Sequence, residues 1–264
     1  MRYIIVADIH GCQKELFLLL QRISPEDDGS VVIPIGDLYH KGPNQHGVIE
    51  YLMGSESYCY EYILGNHEEK QVRWEAHEIK RAQTGKPNPM KHVEGYEFSP
   101  PKHREWIRDS ARLFLQFQAG DEKFLLVHGG IEPAMKHLPS TNLPWHLPKK
   151  EKYRAFNMLR TRYVNPHGQM VPLGEEKDED VYWAEVYDGR FGHVIFGHQP
   201  FLDRSRPKEY PFATGIDLGC VYGNYLCALT IDGDTGEMNY CVVKAADKYA
   251  DHRKELGSTI PVPE

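Results

Sequence analysis

Five short apolar runs in this chain each lead into polar residues of the kinds that bind metal ions. The runs read YIIVAD, VVIPIGD, YCYEYILGNH, KFLLVHGG and HVIFGHQP. Apolar runs of this length, rich in β-branched and aromatic residues and bounded by glycine, are typical of buried β-strands that turn into a loop. Turn chemistry alone does not select Asp and His so consistently. This recurrence constrains the fold more than any other feature of the sequence.

The polar residues at these five strand ends are predicted to form one cluster, called here the strand-end cluster. In open α/β sheets, ligands bind in the crevice outside the carboxyl ends of the strands. A mixture of carboxylate, imidazole and amide groups suits borderline divalent metals such as Mn, Fe or Zn. The residues of the cluster are Asp8, His10, Asp37, Asn66, His67, His128 and His198.

Helical periodicity between the predicted strands indicates an α/β fold. After the first strand, KELFLLLQRI places leucines on one helical face, and NQHGVIEYLMG and EEKQVRWEAHEIKRAQ follow the next two strands. Further helices are predicted in EWIRDSARLFLQF and around KKEKYRAFNMLRTRY. Closing antiparallel strands are predicted in FATGIDLG, YLCALTID and EMNYCVV.

The chain has 264 residues, which fits one large α/β domain. Neither an internal repeat nor a clear linker divides the sequence, so a single domain is expected over residues 1–244. Insertions are expected near residues 84–105 and at 131–182, where proline is frequent. The polar segment 245–264 is expected to form a peripheral tail.

Charge and hydropathy favour a cytoplasmic protein. The formal net charge of −7 provides no basic field for nucleic acid or an anionic membrane, so neither is an expected partner. The apolar runs are too short for a signal peptide or a spanning helix. An odd number of cysteines without a C-x-x-C pair indicates reduced thiols. They are Cys12, Cys59, Cys220, Cys227 and Cys241.

Five motifs resemble, in their order along the chain, those of the calcineurin-like metallophosphoesterases. The motifs are DIHG, GDLYHKG, GNHE, HGG and GHQP, and they match the phosphoprotein phosphatase branch of that family. GIDLGCVYGNYLCALTID resembles the C-terminal strands of bacterial members, which include serine/threonine phosphatases and symmetrical diadenosine tetraphosphatases. The resemblance covers most of the chain. It implies a four-layer αββα fold in which helices flank a central β-sandwich.

The resemblance further implies a site with two divalent metal ions. Manganese is the expected metal, with iron, zinc or nickel as alternatives. A hydroxide that bridges ions ~3.5–4 Å apart would attack the phosphorus atom of a phosphorylated protein or small molecule, so the implied reaction is phosphoester hydrolysis. The implied ligands are Asp8, His10 and Asp37 for one ion, and Asp37, Asn66, His128 and His198 for the other.

The loop GDLYHKG departs from the family pattern at two positions. The branch usually reads G-D-x-x-D-R-G, where this chain has His40 and Lys41. Lys70 likewise replaces the arginine of G-N-H-E-x-R. Lysine keeps the positive charge but lacks the planar fork that binds two phosphate oxygens. We therefore expect Lys41, Lys70 and Asn66 to bind the substrate, with a less rigid hold on phosphate.

A third arginine of the family pattern is absent from its expected place. Bacterial relatives commonly carry an arginine two residues after a tryptophan. After Trp183 this chain has Glu185 at that position, and Arg190 follows five residues later. Up to three phosphate-binding arginines are therefore expected to be missing.

The resemblance implies that His67 is the general acid and that His40 supports it. A neutral imidazole at position 40 can accept a hydrogen bond from His67 but supplies no negative charge. His40 should therefore stabilise the imidazolium of His67 less than a carboxylate would. The alternatives are that His67 only orients Asn66 and that His40 points elsewhere.

Three functions fit these residues. The first is a metal-dependent phosphatase or phosphodiesterase that favours substrates with good leaving groups. The second is a hydrolase of dinucleoside polyphosphates such as diadenosine tetraphosphate, with a nucleoside pocket built by residues 131–182. The third is a phosphate-binding module with weakened catalysis. The complete set of metal-ligand residues argues against this third function. The sequence leaves the oligomeric state open.

Overall fold

A computed structural model of the protein describes residues 1–25, 29–55, 61–90 and 99–252. Cys59, the centre of the insertion expected at 84–105 and the end of the expected tail lie outside these residues. The helices are α1 (Gln13–Ile23), α2 (Gln45–Met53), α3 (Asn66–Thr84), α4 (Pro101–Asp109), α5 (Lys149–Asn157) and α6 (Trp183–Val186). The strands are β1 (Arg2–Val6), β2 (Val31–Pro34), β3 (Tyr62–Ile63), β4 (Ala111–Arg112), β5 (Leu115–Ala119), β6 (Glu122–Leu126), β7 (Tyr163–Val164), β8 (Met170–Val171), β9 (Val181–Tyr182), β10 (His193–Phe196), β11 (Lys208–Tyr210), β12 (Ala213–Gly215), β13 (Tyr225–Asp232) and β14 (Met238–Lys244).

Two larger sheets carry most of the predicted strand ends. The first has the order β14-β13-β1-β2, and the second has the order β11-β12-β10-β6-β5. β1 runs parallel to β2, and β10 runs parallel to both β6 and β12. Within each sheet, the carboxyl ends of the parallel strands therefore lie at the same edge.

The two sheets face each other across an apolar core. Ile5 and Ile33 of the first sheet belong to the same buried cluster as Phe124, Leu126 and Ile195 of the second. Side chains alternate along a strand, so Ile4 and Val6 lie on the other face of β1, in a second core with residues of α1 and α2. This arrangement confirms the predicted α/β fold, in which helices flank a central β-sandwich.

Two predicted helices end earlier than their periodicity suggested. In EWIRDSARLFLQF, α4 ends at Asp109, and the following residues form β4 and the start of β5. The cause is tertiary, because β4 pairs in parallel with β3 and this pairing overrides the local helical pattern. In KKEKYRAFNMLRTRY, α5 ends at Asn157, and the last residue of the predicted helix begins β7.

One predicted closing strand pairs differently from the expectation. β12, within FATGIDLG, is parallel to β10 and antiparallel only to β11. β13 and β14 form the expected antiparallel pair, and β13 also lies antiparallel to β1. The segment expected as an insertion at 131–182 contains α5 and a three-stranded sheet of order β8-β7-β9.

Two further expectations from the sequence concern reduced cysteines and membrane-spanning helices. Cys12, Cys220, Cys227 and Cys241 are free thiols, as predicted for this part of the chain. Among the described residues, none of the helices combines the length and the apolar character that crossing a membrane requires.

The loop after β2 and the start of α3 approach each other through two glycines. Gly36 has a φ of +96°, and a Cβ on it would lie 2.6 Å from the Cα of Gly65. A Cβ on Gly65 would lie 2.2 Å from the backbone nitrogen of Asp37. Only glycine at both positions permits this close approach. It brings Asp37 next to the residues that open α3.

Gly65→Ala is expected to destabilise the protein because the new Cβ would overlap the backbone of the Asp37 loop. Overpacking of this kind costs roughly 1–3 kcal/mol, and urea unfolding followed by circular dichroism measures the loss. Gly54→Ala is the matched control, because Gly54 has a helical φ of −75° and its added Cβ would lie 3.3 Å from the Glu50 carbonyl oxygen. Wild-type stability of the G65A variant would contradict the close approach.

Candidate metal centre

Asp37 lies at the middle of the strand-end cluster, in the loop after β2, with a side chain that is only 4% exposed. Nε2 of His10 is 3.6 Å from its Oδ2. Nε2 of His128 is 3.4 Å from its Oδ1, and Nε2 of His67, on the first turn of α3, is 3.9 Å from Oδ2. Three imidazoles from three parts of the fold therefore surround one buried carboxylate.

Glu68, the acid of the GNHE motif, holds the backbone of the Asp37 loop. Its Oε2 accepts a hydrogen bond from the Asp37 amide at 2.9 Å, and its Oε1 accepts one from the Tyr39 amide at 3.1 Å. Burial, followed by the charge of Asp37, raises the pKa of Glu68 to about 8. Sequence reasoning gave Glu68 no role, although the motif contains it.

Backbone carbonyls orient two of the imidazoles. Nδ1 of His10 lies 3.0 Å from the carbonyl oxygen of Tyr39, and Nδ1 of His128 lies 2.7 Å from that of Ile35. A carbonyl can only accept, so both Nδ1 atoms donate. In the neutral rings the lone pair is then on Nε2, which faces Asp37. This is the tautomer that a metal ligand of this kind requires.

The remaining predicted ligands complete the cluster. Both side-chain oxygens of Asp8 accept from the backbone amide of His198, at 3.2 and 3.0 Å. The rings of His198 and His128 lie 5.0 Å apart, centroid to centroid. Oδ1 of Asn66 lies 3.0 Å from Nε2 of His128. The fold thus brings together all six residues that the sequence nominated as ligands.

Two triads of potential ligand atoms share Asp37. The first consists of His10, Asp37 and His67, and the second of Asp37, His128 and His198. Within each triad the ligand atoms lie within 4.8 Å of one another. The first triad contains His67, whereas the sequence nominated Asp8 beside His10. A carboxylate common to two ligand sets is the arrangement that bridging two ions requires.

The buried charges of the cluster fit divalent cations. Burial, and next the charge of Asp217, raises the pKa of Asp8 well above its usual range. Burial also raises the pKa of Asp217 to about 6. Neighbouring buried carboxylates are unfavourable unless cations or hydrogen bonds offset their charge. Nε2 of His198 is buried and has no hydrogen-bond partner within the described part of the chain.

Asp37 and His128 stabilise each other's charged forms. Burial opposes ionisation of both side chains. Even so, His128 and His67 hold the pKa of Asp37 well below its usual range. The carboxylates of Asp37 and Asp8 likewise raise the pKa of His128 to about 9 against the effect of burial. A proton on His128 thus occupies a place that a divalent cation could take.

His40 contacts His67, so the alternative that His40 points elsewhere is wrong. The Nδ1 atoms of the two rings are 3.0 Å apart, which requires one ring to donate and the other to accept. Burial, and next the charge of His67, lowers the pKa of His40 to about 3. His40 is therefore neutral near pH 7. It offers His67 a hydrogen bond but no negative charge.

The two lysines of the predicted phosphate site occupy different surroundings. Nζ of Lys41 lies 3.4 Å from Nε2 of His10 and 2.7 Å from the hydroxyl of Tyr222. Lys70 is exposed on α3, one turn after Asn66. Lys41 thus contacts the strand-end cluster through His10, whereas the side chain of Lys70 is exposed to solvent.

Arg162 is an arginine beside the strand-end cluster that sequence reasoning missed. It follows α5, and its Nη2 donates to the carbonyl oxygen of His198 at 3.0 Å. Arg190, which the sequence offered after Trp183, instead pairs with Asp188 at 2.6 Å on the surface. Arg162 thus lies beside the cluster but occupies none of the three motif positions, which carry Lys41, Lys70 and Glu185. The available signal was the pair of arginines in LRTRY.

Asp217 is a second residue that sequence reasoning missed. It follows β12 and accepts a hydrogen bond from the amide of Gly219 at 2.8 Å. Its charge raises the pKa of Asp8, while burial raises its own pKa and the Gly219 amide, and next Lys41, oppose that rise. The signal was present, since FATGID ends in an acid after a predicted strand, as YIIVAD does.

Strained backbone is concentrated in the cluster. Among the described residues, six that are not glycine have a positive φ, and all but Ser24 belong to this region. Such conformations cost roughly 1–3 kcal/mol each and persist where the surrounding structure enforces them. The five residues are His10, Asp37, His40, Lys41 and His198.

Comparison with known proteins gives one family match and several relatives. A model of the family described as calcineurin-like phosphoesterase matches residues 1–201. The chain is 27% identical over 239 residues to the asymmetrical bis(5′-nucleosyl)-tetraphosphatase PrpE of Bacillus subtilis strain 168, covering 86% of this chain and 89% of that protein. It is 22% identical to the symmetrical bis(5′-nucleosyl)-tetraphosphatase of Citrobacter koseri, with 85% and 89% covered.

Solved structures share the fold. One, provisionally described as a diadenosine tetraphosphatase, superposes with a TM-score of 0.64 at 24% identity, covering 92% of this chain and 93% of that one. A protein serine/threonine phosphatase from Saccharomyces cerevisiae superposes with a TM-score of 0.57 at 12% identity, covering 94% and 81%. At these identities the likeness concerns the fold alone.

Binding of Mn²⁺ is expected to strengthen as the pH rises towards the pKa of His128, which is about 9. Below that pH the metal must displace the proton of His128, so binding near pH 7 should release about one proton. Calorimetric titration in buffers of different ionisation enthalpy measures this release.

His128→Gln should reduce the proton release by about one proton, and the exposed His167→Gln should preserve it. Affinity that is independent of pH, without proton release, would contradict the charge balance described for Asp37 and His128.

Proposed function

Because the chain belongs to the calcineurin-like phosphoesterase family, we propose that its Asp37 centre binds two divalent metal ions and uses them to cleave a phosphoanhydride. The family match and the tetraphosphatase relatives make the chain a phosphoester hydrolase. The observation that carries the proposal is one buried carboxylate, Asp37, shared by two triads of potential ligands. Manganese is the proposed metal.

The proposed ligands are those that the sequence nominated. When bound, the ions activate water for attack and neutralise negative charge on the phosphoryl oxygens. Lys41, Arg162 and Asn66 add positive charge and hydrogen bonds beside the same centre and are proposed to orient the phosphate. The residues that would hold the ions are Asp8, His10, Asp37, Asn66, His128 and His198.

His67 is proposed to protonate the leaving oxygen. Its Nδ1–H would donate to Nδ1 of His40, 3.0 Å away, which leaves Nε2 to carry the transferable proton. Neutral His40 stabilises the imidazolium of His67 less than a carboxylate at the same place would. Proton donation by His67 is therefore proposed to be weaker near neutral pH than it would be beside a carboxylate. Substrates whose leaving group departs as a stable anion depend least on that donor.

A dinucleoside tetraphosphate is the substrate class that best meets this condition. Cleavage between its phosphates releases a nucleotide, whose phosphate oxygens already carry stable negative charge. A phosphoserine substrate would instead release an alkoxide that requires protonation. Relatives named as bis(5′-nucleosyl)-tetraphosphatases align over 86% of the chain, which supports the same class.

A phosphatase acting on a phosphoprotein or a small phosphoester is the second candidate. The order of the motifs DIHG, GDLYHKG, GNHE, HGG and GHQP, which resembles that of the phosphoprotein phosphatase branch, supports it. The weak donor pair of His40 and His67 restricts this candidate to esters with good leaving groups. Aryl phosphates are such esters.

The substrate is tested with Mn²⁺-loaded protein and four compounds: diadenosine tetraphosphate, para-nitrophenyl phosphate, its bis-ester and a phosphoserine peptide. We expect the largest kcat/KM on diadenosine tetraphosphate. Asp37→Ala should reduce turnover by about a thousandfold or more, since it removes the shared carboxylate. The exposed Asp121→Ala is the control and should retain activity. Silence on all four compounds, with metal bound, would instead favour a phosphate-binding module.

His40→Asp is expected to increase turnover of poor leaving groups by about tenfold, because a carboxylate stabilises the imidazolium of His67. The increase should be larger on the phosphoserine peptide than on para-nitrophenyl phosphate. His40→Asn, which adds no charge, is the matched control and should give no increase. Equal gains on both substrates would show that His40 does not limit proton donation.

A further inference from the structure

Lys41 lies between the Asp37 centre and an aromatic side chain from the C-terminal part of the chain. Its Nζ donates to the hydroxyl of Tyr222 at 2.7 Å, while 3.4 Å separates it from Nε2 of His10. The same Nζ is 5.2 Å from the centroid of the Tyr222 ring, so it lies beyond the hydroxyl edge and not over the ring face. Tyr222 therefore contacts the lysine ammonium through its hydroxyl oxygen.

A lysine in a phosphate site needs a contact of this kind more than an arginine does. Arginine presents a rigid planar fork that binds two phosphate oxygens at once. Lysine is a point charge on a flexible four-carbon stem, and holding that stem in one place costs conformational entropy. The left-handed backbone of Lys41, with a φ of +71°, fixes where its stem begins but not where its ammonium ends.

Tyr222 itself is held by a short, well-bonded turn. It closes the 3₁₀ turn Cys220–Tyr222, which lies between two left-handed glycines, Gly219 with a φ of +70° and Gly223 with a φ of +88°. The amide of Tyr222 donates to the carbonyl oxygen of Gly219 at 3.0 Å. The turn therefore fixes the backbone position from which the Tyr222 side chain extends.

Residues 245–252, which follow β14, bind the outer side of this turn. The amides of Tyr249 and Ala250 both donate to the carbonyl oxygen of Val221 at 3.0 Å. The hydroxyl of Tyr249 and the amide of Ala246 both donate to Oε1 of Glu15, a buried residue of α1, at 2.9 Å. The segment thereby ties the turn that carries Tyr222 to the first helix.

We propose that Tyr222 is a positioning residue that holds the ammonium of Lys41 at the His10 edge of the centre, ready to bind a phosphate oxygen. The proposal rests on the proposed function, because it takes a phosphate group as the ligand. Two consequences follow. Loss of the Tyr222 hydroxyl should weaken phosphate binding more than it slows the chemical step. Arginine at position 41, with its preorganised fork, should depend much less on Tyr222.

The test compares the wild type with the Y222F, K41R and Y222F/K41R variants, all loaded with Mn²⁺. Calorimetric titration with inorganic phosphate gives the Kd of each. We expect Y222F to raise the Kd by about fivefold in the wild-type background and by less than about twofold in the K41R background. Tyr225→Phe is the control and should leave the Kd unchanged, because Tyr225 contacts Lys244 instead of Lys41.

Turnover provides a second readout on any substrate that the protein hydrolyses. Y222F should raise KM by the same factor as the Kd and leave kcat within about twofold of the wild type. An unchanged Kd in Y222F would overturn the proposal. So would equal losses in both backgrounds accompanied by a lower Tm, which would indicate a purely structural tyrosine. The Kd for phosphate is measured without turnover. If the protein hydrolysed none of the substrates, that result would count against the proposed function, and the Kd comparison would still test the role of Tyr222.

Discussion

The attraction between the buried Asp37 carboxylate and the imidazoles around it is the interaction on which the site depends. Each side chain comes from a different part of the chain, and a charge buried there without a partner would be costly. Their mutual proximity holds Asp37 ionised and His128 protonated in the absence of metal. The close approach of Gly36 and Gly65 and the left-handed backbone of Asp37 make that proximity possible. Divalent cations would replace the proton of His128, and their binding would offset the cost of the strained backbone.

Two departures from the family pattern, His40 and Lys41, lie on one loop and act in the same direction. His40 supports His67 without a negative charge, so proton donation to the leaving group is weakened. Lys41 offers a point charge where the family has the planar guanidinium of an arginine. Binding of phosphate by Lys41 therefore depends on neighbours such as Tyr222. Both changes matter least when the substrate has several phosphates and a leaving group that is already a stable anion. Dinucleoside polyphosphates combine these properties.

The sequence nominated the residues of the strand-end cluster because their signal is repeated along the chain. Each ligand follows an apolar strand, and the recurrence of Asp and His at five such strand ends identified Asp8, Asp37 and His128 together. Arg162 and Tyr222 lie outside these strand ends, and they reach the centre only through the packing of distant segments. The helix predicted over EWIRDSARLFLQF is right up to Asp109 and wrong beyond it. The following residues form β4, whose partner β3 lies in a distant part of the chain, and the start of β5, which pairs with the next strand, β6.

Crystals of the protein soaked in Mn²⁺ and measured at the manganese absorption edge test the central claim most directly. Two anomalous peaks are predicted, both within bonding distance of the Asp37 carboxylate, one on the side of His10 and the other on the side of His128. A single peak, or peaks that do not share Asp37, would contradict a bridging carboxylate. The proposed reaction would then need a different arrangement of metal ions.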